Sequence, residues 1–512
     1  MRKVYDFLDA LRKIRIKLSN SNQGCQSDWL ACHQPPSGEQ CSKGTDQHSI
    51  EAKKNDKSFS GDEVNLADTM KNALHVSGLP KHRSYMDKEL PMVERKVEGE
   101  TICTTVQEGW AQKEVPPAEQ PQLASLWQNI KRVLLICGGQ REPLESAGEL
   151  AKAGVKAALV DVMEAQRFVR DVFAAMEVPP EAASEMADVL IAADYFGHRS
   201  MGIHRLPAVA ADLLNCTVDA RAQPLVLQER EALALVDGRN APGPVVANYC
   251  MDLAVRKARV VGFAWVSARR SNCIGMAGWY ACQALTQRMI GICMSNAPPV
   301  LVACGGKEPV LGENPIACAA AGADEQFLMD MGMSSFPIEQ FELDYCNGRV
   351  RNMPTTLALD CNGRPTGRVV EALRAQRLRA FKPEYKGFGL AGMVDILCGV
   401  LTGAQYATQL RRRGLFSPEN APANLGQVYV AIDPLQFCAS FEDRLRDFHQ
   451  LLRRDLPCDQ RQMPLVPGDK EIASMQQVDN QGGLEFSNCT LCVLKELAER
   501  FKIKPLRLKT SE

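Results

Sequence analysis

From about residue 156 to residue 512 the chain reads as α/β, with mixed sheets covered by helices, behind a long N-terminal extension. Three observations predict this. Apolar residues recur at helical spacing in several stretches, short β-rich runs alternate with those stretches, and both patterns fade upstream of residue 155. Such alternation is what helices packed on a sheet produce.

Met1 to Leu18 is basic and loosely amphipathic, but Asp6, Asp9 and the lack of a small-residue cleavage site favour a surface helix over an organelle address. Residues 20–120 are rich in Ser, Gln, Lys, Glu and Gly. A stretch such as Gly44 to Asp62 cannot bury enough apolar surface to offset its ordering entropy, so residues 1–155 are expected to be mostly disordered. Val133 to Cys137 reads as a strand running into Gly138-Gly139, without the spacing of a nucleotide loop. The domain then begins. Phe168, Val169, Val172, Phe173 and Met176 predict a helix. Pro179-Pro180-Glu181 starts a second, with proline where the first turn tolerates it and Ala183, Met186, Ala187 and Leu190 turned inward. Pro244 to Ala258 and Met276 to Gln287 predict helices. Strands are expected over Val260 to Val266, Ile290 to Met294, Phe327 to Met331 and Val428 to Ile432. A final helix carries Leu491, Leu494, Leu497 and Phe501.

A formal net charge of −1 offers no field to attract nucleic acid or anionic lipid, so neither is expected as a partner. No uninterrupted apolar run is long enough for a membrane span. The 19 cysteines are an odd set without framework spacing, and Cys282, Cys293, Cys318 and Cys398 lie in apolar runs. A thiol there behaves as a small hydrophobe, which fits a reducing compartment, the cytoplasm. Cys489 and Cys492 form a C-x-x-C without a second pair, so core packing is expected and no metal.

Four segments look chemical. Gly197 to Pro207 gathers His198, Arg199, His204 and Arg205 between helices; arginine offers a planar fork for a carboxylate, and histidine moves protons near neutral pH. Without further information, a solvated helix junction explains it equally well. Arg270 to Tyr280 is a strand, a polar turn and a helix start, where an anion can sit. Gly305 to Pro309 and Gly312 to Pro315 are glycine- and proline-rich turns that do not make a P-loop. Tyr385 to Leu390 places Lys386 at a glycine-lined helix start, suited to a phosphate or ribose and equally to tight packing.

Taken together, the segments resemble the malate/L-lactate dehydrogenase superfamily, which includes ureidoglycolate and sulfolactate dehydrogenases. Its pattern runs G-H-x-S-H-G-x-x-R-L, S-N-H-F/Y-G-I-A-G-W-Y, G-T-N-P, D-M-A, K-G-Y-G-L, N-L-G-Q and P-G-E. The matching stretches are Gly197 to Leu206, Ser271 to Tyr280, Gly312 to Pro315, Asp330 to Gly332, Lys386 to Leu390, Asn424 to Gln427 and Pro467 to Asp469, in that order. The resemblance implies a non-Rossmann NAD(P)-binding fold, a homodimer, and hydride transfer between NAD or NADP and a small 2-hydroxy or 2-oxo acid. By motif, Arg205 would clamp the substrate carboxylate, and His198 is the second catalytic candidate. Asp330, Met331, Lys386 and Gly468 would contact the dinucleotide, with Asn314 in the turn beside it.

Two departures touch the chemistry. The histidines of S-H-G and S-N-H are Met201 and Cys273 here. A thioether moves no proton, and a buried thiol is a poor general acid, so a loss of about 10²–10⁴-fold in rate is expected unless another group substitutes. His204, three positions after Met201, shares its face if the segment is helical, which makes it a possible substitute alongside His198. Glu313 replaces the threonine of G-T-N-P and would repel cofactor phosphates unless it points away. Gln340 stands near where relatives carry lysine. The alternative to a working dehydrogenase is an inactive homologue serving as a dinucleotide-binding or regulatory dimer.

Overall fold

The computed structural model describes residues 157–322, 325–347, 352–412, 421–454 and 464–509. The helix expected over Met1 to Leu18, the disorder expected through residue 155 and the strand expected over Val133 to Cys137 lie outside the described residues. The chain divides into two units, of which Leu30–Glu114 is wholly outside them; everything below belongs to the other.

The described strands are β1 (Ala158–Val160), β2 (Leu225–Glu229), β3 (Leu233–Asp237), β4 (Phe263–Ser271), β5 (Ile290–Ser295), β6 (Leu301–Val302), β7 (Pro309–Leu311), β8 (Ile316–Ala321), β9 (Gln326–Met331), β10 (Ala358–Leu359), β11 (Pro365–Thr366), β12 (Arg377–Arg379), β13 (Leu425–Ile432) and β14 (Leu484–Phe486). The helices are α1 (Val162–Ala175), α2 (Pro180–Phe196), α3 (Leu206–Leu214), α4 (Gly243–Val261), α5 (Ala277–Leu285), α6 (Ile338–Cys346), α7 (Val369–Ala375), α8 (Glu384–Asp395), α9 (Phe441–Arg453), α10 (Asp469–Gln481) and α11 (Asn488–Phe501). The main sheet has seven strands in the order β2-β3-β4-β13-β5-β8-β9. Only β3 and β4, joined across α4, run parallel in it; its other pairs are antiparallel. A five-stranded sheet, β11-β10-β12-β6-β7, lies beside it, and β1 pairs with β14. The expected mixed α/β architecture is what the structure has.

Alternation along β13 explains how one sheet serves two cores. Tyr429 and Ala431 join a core built from α1, α2, α4 and α5, whereas Val428 and Val430 join a second core with Phe341, Leu373 and Val394. Successive side chains on a strand point to opposite faces, so a strand covered on both sides is apolar throughout. The helices form for local reasons too. Asp161 caps α1 by accepting from Met163 N at 2.9 Å, and Phe168, Val169, Val172 and Phe173 are all fully buried.

One predicted strand is wrong at its start. Val260 and Val261 end α4, and β4 begins only at Phe263. Gly262 takes a left-handed φ of 84° and stops the helix, leaving the two valines 83% and 42% exposed. Their β-branched character had favoured a strand; the glycine behind them decides otherwise.

Candidate active site

The junction between α2 and α3 is two short 3-10 turns, Arg199–Met201 and Ile203–Arg205, hinged at Gly202. Asp194 fixes the hinge by accepting from Ile203 N at 2.7 Å. A Cβ on residue 202 would lie 2.1 Å from Asp194 Oδ1, so any side chain there would displace the Asp194 carboxylate. The hinge splits the segment. Met201 and Arg205 line a pocket with Asn272, Cys273 and Glu339, while Ile203 and His204 line another cavity with Asp194, Arg199 and Gln340. His204 therefore does not share a face with Met201, because the segment is not one continuous helix. Burial and the neighbouring Arg205 charge push its imidazole down to about 3. It is a neutral cavity wall, not a substitute for the missing imidazole.

The Arg205 pocket is a cleft partly open to solvent, with Met186, Val189, Leu190 and Ile274 as apolar walls. Arg205 Nη1 donates to Glu342 Oε2 at 2.5 Å, with the two side chains 13% and 9% exposed. That bond holds the guanidinium in place and uses only one of its edges. Asn272 Nδ2 donates to the carbonyls of Asn240 and Ala241 at 3.2 and 2.9 Å. Its Oδ1 is left buried with no partner among the described residues. Cys273 is exposed, so the expectation of a buried thiol is corrected. The turn bearing both residues hangs on β13: fully buried Gln427 donates to Asn272 O at 2.7 Å and accepts from the Tyr429 hydroxyl at 2.9 Å.

His198 does not line that pocket. Its Nε2 lies 3.3 Å from Glu471 Oε1, at the start of α10. Burial lowers the affinity of His198 for a proton, but the Glu471 bond and the charges of Asp330 and Glu471 outweigh it and raise the net value. Asp330, at the end of β9, accepts from Gly278 N at 2.7 Å. The helix start expected to hold an anion thus holds a carboxylate of this chain. Burial raises Asp330, against the pull of His198 and of that bond. Gly468 belongs to the same region, since Pro467 O accepts from Leu328 N at 3.1 Å and Gly468 itself takes a φ of 108°. Met331 follows Asp330 at the strand end, half-buried.

The remaining candidates lie apart. Asn314 is fully buried, with Oδ1 accepting from Ala297 N and Nδ2 donating to Ala391 O, both at 2.9 Å. Its side chain ties the Gly312–Pro315 turn to α8. Lys386 is exposed in the first turn of α8, where its backbone N donates to Pro383 O at 2.8 Å. Glu313 points away from solvent towards the start of α6, accepting from the Ser334 hydroxyl and from Ile338 N at 3.4 Å. The Gly305–Pro309 turn is the exposed tip between β6 and β7 and lines neither pocket.

Residues 160–495 match the family described as malate/L-lactate dehydrogenase. The chain belongs to this family. A malate dehydrogenase of Pyrococcus horikoshii is 30% identical over 347 residues, covering 66% of this chain and 94% of that one. A ureidoglycolate dehydrogenase (NAD(+)) of Escherichia coli is 33% identical over 265 residues, 51% of this chain and 72% of that one. The solved structure of the Pyrococcus horikoshii malate dehydrogenase covers 68% of this chain and 97% of its own, with a TM-score of 0.62 and 29% identity. Within this malate/L-lactate dehydrogenase domain, sequence reasoning missed Glu339, Glu342 and Glu471. None stands in a quoted motif; the only signal was the spacing of Glu339 and Glu342, which puts both on one face of α6.

Proposed function

We propose that the chain is a dehydrogenase that moves a hydride between a nicotinamide dinucleotide, NAD or NADP, and C2 of a small 2-hydroxy or 2-oxo acid of the malate or lactate type. The observation that carries this reading is the convergence of Arg205, from the first chemical segment, with Asn272 and Cys273, from the second, on one pocket. Arg205 would bind the substrate carboxylate with the edge not given to Glu342. The apolar walls would exclude water from the reacting carbon.

By residue type, Asp330 would supply a carboxylate acceptor for ribose hydroxyls, Met331 an apolar platform and Gly468 a left-handed turn at a helix start, while exposed Lys386, which lies apart from them, would offer a cation for phosphate. The bound dinucleotide supplies the hydride. His198, paired with Glu471 beside Asp330, is a positioning residue for that end of the site. A homodimer is supported by the exposed apolar face of α8 and the turn after it, where Tyr385, Met393, Ile396 and Val400 are 79%, 42%, 58% and 54% exposed. No helix among the described residues is long and apolar enough to cross a membrane. Buried free thiols at Cys250, Cys282, Cys293 and Cys398 support a cytoplasmic setting.

Calorimetric titration with NADH and NADPH, then a panel of 2-oxo acids, tests the reading. Saturable binding of one dinucleotide and its oxidation by at least one acid are expected. Absence of both would overturn it. A second reading, an inactive dinucleotide-binding or regulatory homologue, is favoured by one observation: no histidine lines the Arg205 pocket among the described residues. Binding without turnover is its signature.

A further inference from the structure

We propose that the carboxyl group of Glu339, backed by that of Glu313, gives and takes the proton of the reacting oxygen in the Arg205 pocket. This rests on the dehydrogenase reading above. Glu339 lines the pocket with Met201, Arg205, Asn272 and Cys273, and its Oε2 is buried with no hydrogen-bond donor facing it among the described residues. Its carboxyl lies close enough to that of Glu313 to act on its ionisation. Glu313 is held from the other side by the Ser334 hydroxyl and Ile338 N. Like charges this close oppose each other's ionisation, and the group raised here is Glu313. Burial, then the Glu339 charge, pushes Glu313 well above the usual carboxylate range. Glu339 therefore brings a carboxyl group, with the raised carboxyl of Glu313 behind it, to a pocket whose family-pattern histidines are Met201 and Cys273. Asn272 is an independent pointer to a ligand there: it is 4% exposed, and its bonded Nδ2 leaves Oδ1 as a buried acceptor without a donor.

In the reducing direction the carbonyl carbon receives a hydride from the reduced dinucleotide, and its π pair moves to oxygen. That oxygen takes the proton of Glu339, which is refilled from Glu313 and then solvent. The 2-oxo acid is reduced, the dinucleotide is oxidised and one proton is consumed. Other charged or titratable groups facing the pocket are Arg205 with its partner Glu342, Asp212 with its partner Arg411, and Cys273.

The test uses the full chain and the variants E339Q and E313Q. Infrared difference spectra without dinucleotide should show a protonated-carboxyl band at neutral pH in the wild type that E313Q removes. E339Q should bind dinucleotide as the wild type does, which also reports folding, and lose about 10²–10⁴-fold in kcat. E313Q removes the raised carboxyl behind Glu339, so reduction should slow while dinucleotide binding is kept. A missing band, or E339Q turning over with the wild-type rate and pH profile, overturns the proton role alone. A wild type that has the band yet oxidises no dinucleotide with any 2-oxo acid overturns the dehydrogenase reading, and the catalytic role with it.

Discussion

The pocket of Met201 and Arg205 and the cavity of Ile203 and His204 are fed by one short junction, yet they hold opposite chemistry. The first is apolar-walled, carries a clamped guanidinium and contains an unsatisfied amide oxygen. The second holds His204 and Asp194 and pushes both towards neutrality: His204 falls to about 3, and burial lifts Asp194 to about 7. The difference teaches that a motif rich in histidine and arginine is not one site. A single glycine hinge assigns alternate residues to reaction and to packing.

The largest effect is expected from breaking the pocket side. R205M removes both the carboxylate clamp and the charge facing buried Glu342, so turnover should be lost and stability should drop by about 3 kcal/mol, read as a lower Tm. Next comes the hinge. G202A forces a methyl against Asp194 and should cost about 2 kcal/mol in a denaturant titration, disturbing pocket and cavity together. An effect on dinucleotide-dependent turnover with stability intact would show that the two sides are not coupled through the hinge.

The cavity side is sharpened by pH. His204 has a folded pKa below its unfolded one, so the unfolded state binds more protons between about 3 and 6.5. Its contribution is complete above 6.5 and is lost as pH falls through that window. H204Q should flatten this part of the stability curve by on the order of 1–2 kcal/mol while leaving kcat unchanged. Asp194 acts in the opposite sense: its raised folded pKa favours the fold at low pH, and the benefit fades as pH rises to about 7. The smallest effect is expected where Glu339 already serves. The double change M201H with C273H should raise kcat by less than about tenfold; a gain nearer 10²–10⁴-fold would mean the pocket lacks any working acid.

Much of the fold was legible because the domain is locally consistent. The run at Phe168 to Met176 has helical period, Val428 to Ile432 is the short unbroken apolar run of a strand covered on both faces, and Pro180 sits where a helix start accepts it. Val260-Val261 misled because propensity pointed one way and the glycine stop after it the other. The motif segments of the site were legible, but the partners that make it work were not. Glu339, Glu342 and Glu471 reach Glu313, Arg205 and His198 across long chain separations, and pairing of that kind leaves no periodic trace. The role of Asn424 to Gln427 was likewise hidden, although Gln427 supports the Cys273 turn and a Cβ on residue 426 would fall 1.6 Å from Cys398 O.

β13 has a consequence that reaches beyond packing. Tyr429 and Val428 differ greatly in bulk and point to opposite sides, so a slip of one position would force each into space shaped for the other. The same slip would pull Gln427 from beneath Asn272. Misregistration of this one strand would therefore disturb both interiors and the turn bearing Asn272 and Cys273 at a stroke.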